Sequence, residues 1–225
     1  MDRDGVACAD YVKSKEKPQG GELYAYQRKI RRLTHLPTPR NEDQVFGSEL
    51  TFYDLLFQLP WDNEYRILGE DTFKGQECLV VESKSVIHPD HYNSKEVLWI
   101  DKKLFRDLHG EQFDRSGVLY KVTDKKWIRL PEKEGNWWLT EEFNIINLNN
   151  GVRSIIGLYD QIIDAGRPEV WWEFRKMTEE HVWRKVDPKK LPPVIKKVED
   201  LPPAPEVRLE FWNKIGVKPT VPKTR

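Results

Sequence analysis

The sequence predicts a mainly β, α+β fold, built as an antiparallel meander or barrel with one short helix. Short segments of alternating apolar and polar residues recur along the chain, and turn residues separate them. One segment instead begins with a helix-capping residue and ends at a proline. Consecutive hairpins of this kind favour a meander or barrel over a doubly wound parallel sheet.

The first strand and the helix are predicted within the first 60 residues. Residues 22–33 alternate as a strand does, and a loop with two prolines is expected over residues 34–47. Ser48 is a candidate N-cap for a helix that ends before Pro60, because proline cannot continue a helix.

The central part of the sequence predicts a series of hairpins. Residues 65–84 form one hairpin around Lys74-Gly75, and a loop is expected over residues 88–93. Further strands are predicted at 97–101, 104–113, 118–122, 127–130, 136–147, 152–163 and 170–177, with turns at 114–117, Asp124-Lys125-Lys126 and Asn149-Asn150-Gly151.

The strand at 97–101 is apolar on both sides. Val97 and Trp99 point to one face of the sheet, whereas Leu98 and Ile100 point to the other. Such a strand must be covered twice, either by protein on both sides or by protein on one side and a ligand on the other.

Composition narrows the possible function classes. The chain has 225 residues, with 37 Lys and Arg balanced by 37 Asp and Glu, which argues against a dedicated nucleic-acid-binding protein. Nine Trp, nine Phe and eight Tyr suit an aromatic core, a lined cavity or a membrane-facing rim. The two cysteines, Cys8 and Cys78, have no zinc-site or CxxC spacing, and a disulfide between them is possible but not indicated.

The two ends of the chain differ in composition from its centre. Residues 1–20 are expected to be a loose lead-in, and no signal peptide or long apolar segment is visible. Eight of the 15 prolines lie between Pro188 and Pro222, which predicts an extended tail over residues 187–225. Phe211 and Trp212 are candidates for one short docked helix within this tail.

No motif supports an enzyme, a cofactor or a metal centre. The sequence contains no GxSxG, P-loop, HExxH or GxGxxG motif. The paired glutamates Glu141-Glu142 and Glu179-Glu180 would point to opposite faces of a strand. His88-Pro89-Asp90-His91 is better explained as a solvated turn than as a metal site, because a third and fourth ligand are missing. We therefore expect no enzymatic activity, no cofactor and no bound metal.

An arginine cluster in the first strand has two interpretations. Arg28 and Arg32 could bind a phosphate or an acidic group at a cavity rim, because guanidinium makes bidentate contacts. We favour a structural ion pair instead, with Arg32 and Asp54 as the candidate partners.

The order of several motifs resembles a known bacterial envelope family. RKIRRL at 28–33, GSELTFYDL at 47–55 and SKEVLWIDKKLFRDL at 94–108 resemble the outer-membrane lipoprotein-sorting proteins of unknown function, which are similar to the LolA/LolB carriers. The resemblance covers about residues 20–185. It implies a strongly curved antiparallel sheet, a half-open β-barrel with a short helix plug, over residues 21–186.

The resemblance also implies a function. We expect a non-enzymatic periplasmic carrier or receptor that binds a lipid or the acyl chains of a lipoprotein in an apolar cavity. Envelope transporter or outer-membrane components are possible partners, nucleic acid is not, and a monomer is expected. The cavity or rim candidates are Tyr24, Tyr26, Arg28, Arg32, Phe52, Leu56, Trp99, Tyr120, Trp138 and Trp172.

Two alternatives and one departure from the family stay open. The chain could be an interaction module of an envelope lipid-export complex, with the Pro-rich tail as its docking segment and no cargo of its own. A lipid hydrolase would need a convergent Ser or His with an acid, for which the sequence offers no arrangement. Members of the family begin with a signal peptide and further strands, so one interpretation is a chain shortened at its N-terminus.

Overall fold

The structure, a computed structural model, describes residues 6–9, 23–27, 32–36, 42–45, 47–55, 60–86, 93–130, 137–159 and 197–222. The chain divides into two compact units, residues 1–40 with 160–192 and residues 41–159 with 193–225. The domain boundaries expected after residues 20 and 186 stay predictions.

The first unit contains a three-stranded antiparallel sheet of β1 (Val6–Ala9), β2 (Leu23–Gln27) and β3 (Arg32–Leu36). Val6–Ala9 is a strand where the sequence predicted a loose lead-in. The single strand predicted over residues 22–33 is wrong, because Gln27 and Arg32 face each other in a hairpin. Arg32 therefore belongs to the returning strand, a change of direction that alternation alone does not reveal.

The second unit is built on one open, seven-stranded antiparallel sheet in the order β10-β9-β8-β7-β6-β5-β4. Every strand pairs with its neighbour in sequence, so the predicted mainly β, α+β meander is confirmed. The strands are β4 (Asn63–Phe73), β5 (Gln76–Ser85), β6 (Asn93–Asp101), β7 (Asp107–Asp114), β8 (Leu119–Arg129), β9 (Trp138–Asn147) and β10 (Arg153–Gly157). The strand predicted at 170–177 and the loop residues 88–92 lie outside the described residues.

Two of the predicted turns are confirmed by their backbone geometry. Lys74 and Gly75 join β4 to β5 with φ angles of 47° and 80°, as a two-residue hairpin turn requires. Gly151, with a φ of 71°, follows the turn at 148–150 that joins β9 to β10. Glycine adopts this left-handed conformation without a steric penalty.

The predicted turn at residues 124–126 is wrong, because β8 runs without a break from Leu119 to Arg129. The three polar side chains of this stretch are paired across the sheet. Asp124 lies 2.7 Å from the ring of His109, Lys125 lies 2.5 Å from Asp107, and Lys126 lies 2.5 Å from Glu141. Three consecutive polar residues predict a turn from sequence alone, because the sequence does not show the ion-pair partners that allow them to lie within a strand.

The helix begins later than predicted and has a different N-cap. Among the described residues, helix α1 covers Phe52–Leu55, and Ser48 accepts a hydrogen bond from Leu50 before the helix begins. The cap is Thr51, whose backbone N–H and hydroxyl both donate to the Asp54 carboxylate, at 2.7 and 2.9 Å. The bond from the Thr51 N–H to Asp54 is one half of a capping box, in which an acidic residue three positions after the cap reaches back to the cap's backbone. Residues 56–59 lie outside the described part of the chain.

One face of the seven-stranded sheet is covered by the C-terminal segment, and we call it the helix face. Helix α2 (Leu209–Lys214) buries Phe211 and Trp212 against an apolar core, which confirms the short docked helix expected there. Thr220 forms a parallel bridge with Val118 beyond this helix. The core comprises Phe73, Cys78, Val80, Val97, Trp99, Phe113, Leu119, Phe211 and Trp212. Cys78 is a free thiol within this core, and burial raises its pKa.

A buried polar cluster lies beneath α2 on the helix face. Both ring nitrogens of His109 face carboxylates, Nδ1 at 2.7 Å from Asp124 and Nε2 at 3.4 Å from Glu111. Glu111 also accepts from the indole N–H of Trp212 and from the backbone N–H of Arg208, both at 2.6 Å. Burial alone would lower the pKa of His109, but the two carboxylates outweigh burial and raise it. The cluster therefore ties α2 to the centre of the sheet.

The opposite face, which we call the pocket face, is covered by residues 42–55 at one end. Val45 and Leu50 pack against Phe143 and Ile145 of β9. Both sides of the sheet are thus in contact with protein, as the two-sided apolar pattern of β6 requires. The rest of the pocket face is less completely covered and contains the cavity described next.

Candidate functional site

The pocket face contains a partly open cavity with a volume of about 350 Å³. It lies between α1 and strands β4 to β8. Its walls are Tyr53, Asp54, Tyr65, Ser83, Glu96, Leu98, Asp107, Gly110, Thr123, Lys125 and Trp127. A volume of this size is at the lower end of the range for small-molecule sites.

Strand register explains where the cavity forms. Leu98, Gly110 and Thr123 lie side by side on β6, β7 and β8, and all three line the cavity. Gly110, in the middle, has no side chain to fill the space above the sheet. A Cβ atom there would lie 3.3 Å from Oε1 of Glu96 and 3.4 Å from Cδ2 of Leu98. These distances are shorter than ordinary van der Waals contacts, so the glycine lets Glu96 and Leu98 lie close above β7, and a larger residue would displace them.

Two lysine–carboxylate pairs border the cavity. Lys121 donates to Asp54 at 2.8 Å and Lys125 donates to Asp107 at 2.5 Å. Burial would raise the pKa of Asp54, but Lys121 outweighs burial and lowers it. Burial would lower the pKa of Lys125, but Asp107 and Glu96 outweigh burial and raise it. Asp54 is therefore ionised and Lys125 protonated near neutral pH.

Glu96 is the third acidic side chain of the cavity, and its hydrogen-bond partners are neutral. Nε2 of Gln112 donates to its Oε1 at 3.1 Å, and the hydroxyl of Tyr53 lies 3.4 Å from its Oε2. The same Gln112 amide donates to Asp54 at 2.9 Å. Burial in the cavity raises the pKa of Glu96, and neither Lys125 nor the amide offsets it.

Thr123 places an unpaired hydroxyl in the cavity wall. Thr123 is 4% exposed, and its Oγ1 has no hydrogen-bond partner in the described part of the protein. A buried hydroxyl without a partner costs about 1–3 kcal/mol. Such a group marks a position where a ligand atom would gain a hydrogen bond.

Aromatic side chains form the outer wall of the cavity. Tyr65 on β4 is 51% exposed, and Trp127 on β8 is half-buried. The indole N–H of Trp127 donates to the backbone oxygen of Asp107 at 2.8 Å, which holds the ring against β7. The cavity thus combines aromatic surface at its edge with charged groups inside.

The predicted cavity residues whose side chains the structure describes do not line this cavity. The prediction that Trp99 lines a cavity is wrong. Trp99 is fully buried on the helix face, where its indole N–H donates to Asp71 at 2.8 Å. Phe52 packs beside the apolar cluster of β9, and Trp138 is half-buried on that strand. The hydroxyl of Tyr120 lies 3.1 Å from Oε1 of Gln112, the amide that contacts Glu96.

The remaining predicted cavity residues stay predictions. Arg28, Leu56 and Trp172 lie outside the described residues, and the structure describes only the backbone of Tyr24 and Tyr26 in β2. Arg32 is an exposed residue of β3 in the first unit. Asp54 belongs to the second unit and pairs with Lys121, so its pairing with Arg32 also stays a prediction.

Sequence reasoning missed Glu96, Gly110, Thr123 and Lys125. One signal could have identified Glu96, because it shares a strand face with the apolar residues Leu98 and Ile100. A carboxylate on an otherwise apolar strand face indicates a cavity or a buried partner. No local signal marks Thr123, because its burial depends on residues far away in the sequence.

The comparisons with known proteins identify the family of the chain. A family model described as "Uncharacterized protein" matches residues 6–179, which is more than half of the chain. The chain belongs to that family. No curated protein sequence matches it significantly.

Solved structures share the fold of this family member. A candidate outer membrane lipoprotein-sorting protein domain from Vibrio parahaemolyticus is 18% identical, with a TM-score of 0.61 over 74% of each chain. A DUF1329 family protein from Desulfovibrio piger is 15% identical, with a TM-score of 0.67 over 79% of this chain and 72% of that chain. A LolA superfamily protein from Nitrosomonas europaea is 14% identical over 71% of this chain and 72% of that one. Its TM-score of 0.48 is too low to support a shared fold by itself.

These likenesses confirm the resemblance to lipoprotein-sorting proteins and the half-open, LolA-like fold class that it implied. At such identities they concern the fold alone. The prediction of an apolar cavity is wrong for this cavity, because Glu96, Asp107 and Lys125 line it. Across the described residues, no helix is long and apolar enough to span a bilayer.

Proposed function

We propose that the protein is a non-enzymatic carrier or receptor of the periplasm that binds a lipid or a lipoprotein. The observation that carries this proposal is the cavity of about 350 Å³ on one face of an unclosed sheet. The fold likeness to a lipoprotein-sorting domain supports the same class of function. The cargo would be transferred without chemical change.

The composition of the cavity favours an amphiphilic cargo over a bare acyl chain. Leu98, Tyr65 and Trp127 offer apolar contact, whereas Glu96 and Thr123 offer polar contact further inside. Each buried methylene would contribute about 0.8 kcal/mol. A short apolar contact keeps this gain moderate, and a carrier needs moderate affinity because it must release its cargo.

The alternative of an interaction module docked through its tail is less well supported. Phe211 and Trp212 of the tail are 1% exposed and pack on the chain's own sheet. That part of the tail is not free to bind another protein while α2 stays in place.

Lipid extraction tests the proposal directly. The protein would be purified without detergent and extracted with organic solvent, and the extract would be analysed by mass spectrometry. We expect a lipid in stoichiometric amount, or uptake of a fluorescent fatty acid by the purified protein.

A variant with a reshaped cavity assigns any binding to this site. Gly110→Val would push the side chains of Glu96 and Leu98 from their positions above β7 and so change the shape of the cavity, and should reduce uptake at least tenfold. Thr72→Val, at an exposed position of β4, introduces a strand valine elsewhere and should bind normally. An empty extract with no uptake by either protein, or equal uptake by a folded Gly110→Val variant, would contradict the proposal.

A further inference from the structure

The charges around the cavity do not balance. Asp54, Glu96 and Asp107 contribute three carboxyl groups, whereas Lys121 and Lys125 contribute two ammonium groups. Each lysine pairs with one aspartate, at 2.8 and 2.5 Å. Glu96 has no ion-pair partner of its own within the described ranges, so the cavity has a position for one additional cation.

The environment of Glu96 has unused capacity to accept hydrogen bonds. Its Oε1 accepts from Gln112 at 3.1 Å, and among the described residues its Oε2 has only the long contact with the Tyr53 hydroxyl, at 3.4 Å. Thr123 lines the same cavity, and its buried Oγ1 is without a partner in the described structure. A donor placed between these oxygens would satisfy both.

The shape and the lining of the cavity suit a cation with an apolar attachment. Gly110 lets the carboxyl group of Glu96 lie close above β7, because a Cβ atom at this position would be only 3.3 Å from its Oε1. Tyr53, Tyr65 and Trp127 form aromatic walls, and the negative faces of aromatic rings attract cations. Aromatic walls combined with one unpaired carboxyl group are typical of sites that bind ammonium groups.

We infer that the cavity binds the primary ammonium group of an amphiphile, with Glu96 and Thr123 accepting its hydrogen bonds. This inference rests on the proposed function, because it names the class of cargo that the carrier takes. A primary ammonium has three donors, and a lipid headgroup or a free amine could supply it. The apolar part of the ligand would lie along Leu98, Tyr65 and Trp127.

The protonation of Glu96 agrees with this inference. Burial raises the pKa of Glu96, which favours the protonated form of its carboxyl group while the cavity is empty. An incoming ammonium would favour the carboxylate and release that proton. The titratable groups that face Glu96 are Tyr53 and Asp54 from the α1 segment, Tyr65 from β4, Asp107 from β7 and Lys125 from β8.

An anionic ligand fits the cavity less well. Both lysines are already paired with carboxylates, and a phosphate or carboxylate would meet the charge of Asp54, Glu96 and Asp107. Like charges in a partly desolvated site repel each other strongly. The sign of the preferred ligand charge is therefore a sharp test.

Isothermal titration calorimetry with four probes tests the inference. The probes are octylamine, octanol, octanoate and ethanolamine, titrated into the full-length protein at about pH 7, where the amines are charged. Octylammonium should bind about tenfold more tightly than octanol, and octanoate more weakly than either. Repeating the octylamine titration in two buffers of different ionisation enthalpy should reveal release of a fraction of a proton.

Two conservative variants assign the preference to the named side chains. Glu96→Gln should remove the preference for octylammonium over octanol and the proton release, whereas Glu64→Gln, exposed on β4, should change neither. Thr123→Val keeps the shape but removes the hydroxyl, and should weaken octylammonium binding about three- to tenfold. Its melting temperature should equal or exceed that of the wild type, because an unpaired buried hydroxyl is removed. Thr72→Val is the matched control.

The outcomes separate this inference from the proposed function. Equal binding of octylammonium, octanol and octanoate would overturn the ammonium site and leave the carrier proposal intact. A preference that survives in Glu96→Gln would overturn the role of Glu96. Absence of binding by all octyl probes, together with an empty lipid extract, would overturn both proposals. If octylamine binds and ethanolamine does not, the source of the ammonium group is a lipid headgroup. If ethanolamine binds about as tightly as octylamine, the source is a free amine.

Discussion

Replacing Trp212 by alanine should cost the second unit about 4–5 kcal/mol of its free energy of unfolding. Trp212 is 1% exposed, and its ring packs edge-on against Phe113 at a centroid distance of 5.8 Å. Its indole N–H donates to the fully buried carboxylate of Glu111 at 2.6 Å. The side chain therefore contributes both apolar burial and a hydrogen bond to a charged group.

The magnitude follows from these two contributions. Truncation of a buried Trp to Ala costs about 3–5 kcal/mol through lost burial and the cavity left behind. The lost hydrogen bond places the value in the upper part of that range, because hydrogen bonds to charged groups contribute about 1.5–3 kcal/mol. Trp212→Phe keeps most of the apolar area and should lose about 1.5–3 kcal/mol, mainly the hydrogen bond.

Urea unfolding followed by circular dichroism measures these differences. Leu209→Ala is the matched control, because Leu209 lies in the same helix but is 54% exposed, and its truncation should cost less than about 1 kcal/mol. If Trp212→Ala were no more destabilising than Leu209→Ala, α2 would not be part of the cooperative fold. The account of the helix face would then be refuted.

Two further predictions concern buried charges. The raised pKa of His109 means that its contribution to stability is complete below the ordinary histidine pKa of 6.5 and is lost as the pH rises through the folded value. Relative to His109→Gln, the wild type should therefore lose free energy of unfolding above about pH 6.5, by at most about 1.4 kcal/mol per pH unit. Urea unfolding at several pH values measures this difference. A difference between the two proteins that does not change with pH would contradict the prediction. Lys121→Met should cost about 3–5 kcal/mol, because Asp54 is left buried and unpaired. Adding Asp54→Asn should recover part of that loss in the same assay, and no recovery would show that the ion pair is not the cause.

Local sequence patterns were sufficient for much of the larger sheet. The β4–β5 hairpin was predictable because Lys74-Gly75 adopts a two-residue turn between alternating segments. The two-sided apolar pattern of β6 was also readable, including the opposite directions of Trp99 and Leu98. Which of these faces would meet α2 and which the cavity was not readable, because alternation is symmetric between the two faces.

Local patterns failed where polar residues have distant partners. Asp124 and Lys125 resemble a turn in sequence, yet they continue β8 because His109 and Asp107 satisfy them across the sheet. The start of α1 was also placed too early, since the helix begins after the hydrogen-bonded pair of Thr51 and Asp54 and not after Ser48. In each case a hydrogen bond that the sequence does not show produced a local structure different from the one predicted from residue type alone.

The sequence by itself determined the class of the protein: an antiparallel meander whose strands are fixed by short-range alternation and turn chemistry. Only the tertiary structure decided the candidate site, because Glu96, Gly110, Thr123 and Lys125 come from three different strands. Their proximity depends on strand register, and their chemistry depends on which charges are paired and which hydroxyl is buried. Those are properties of long-range packing, and no local pattern encodes them.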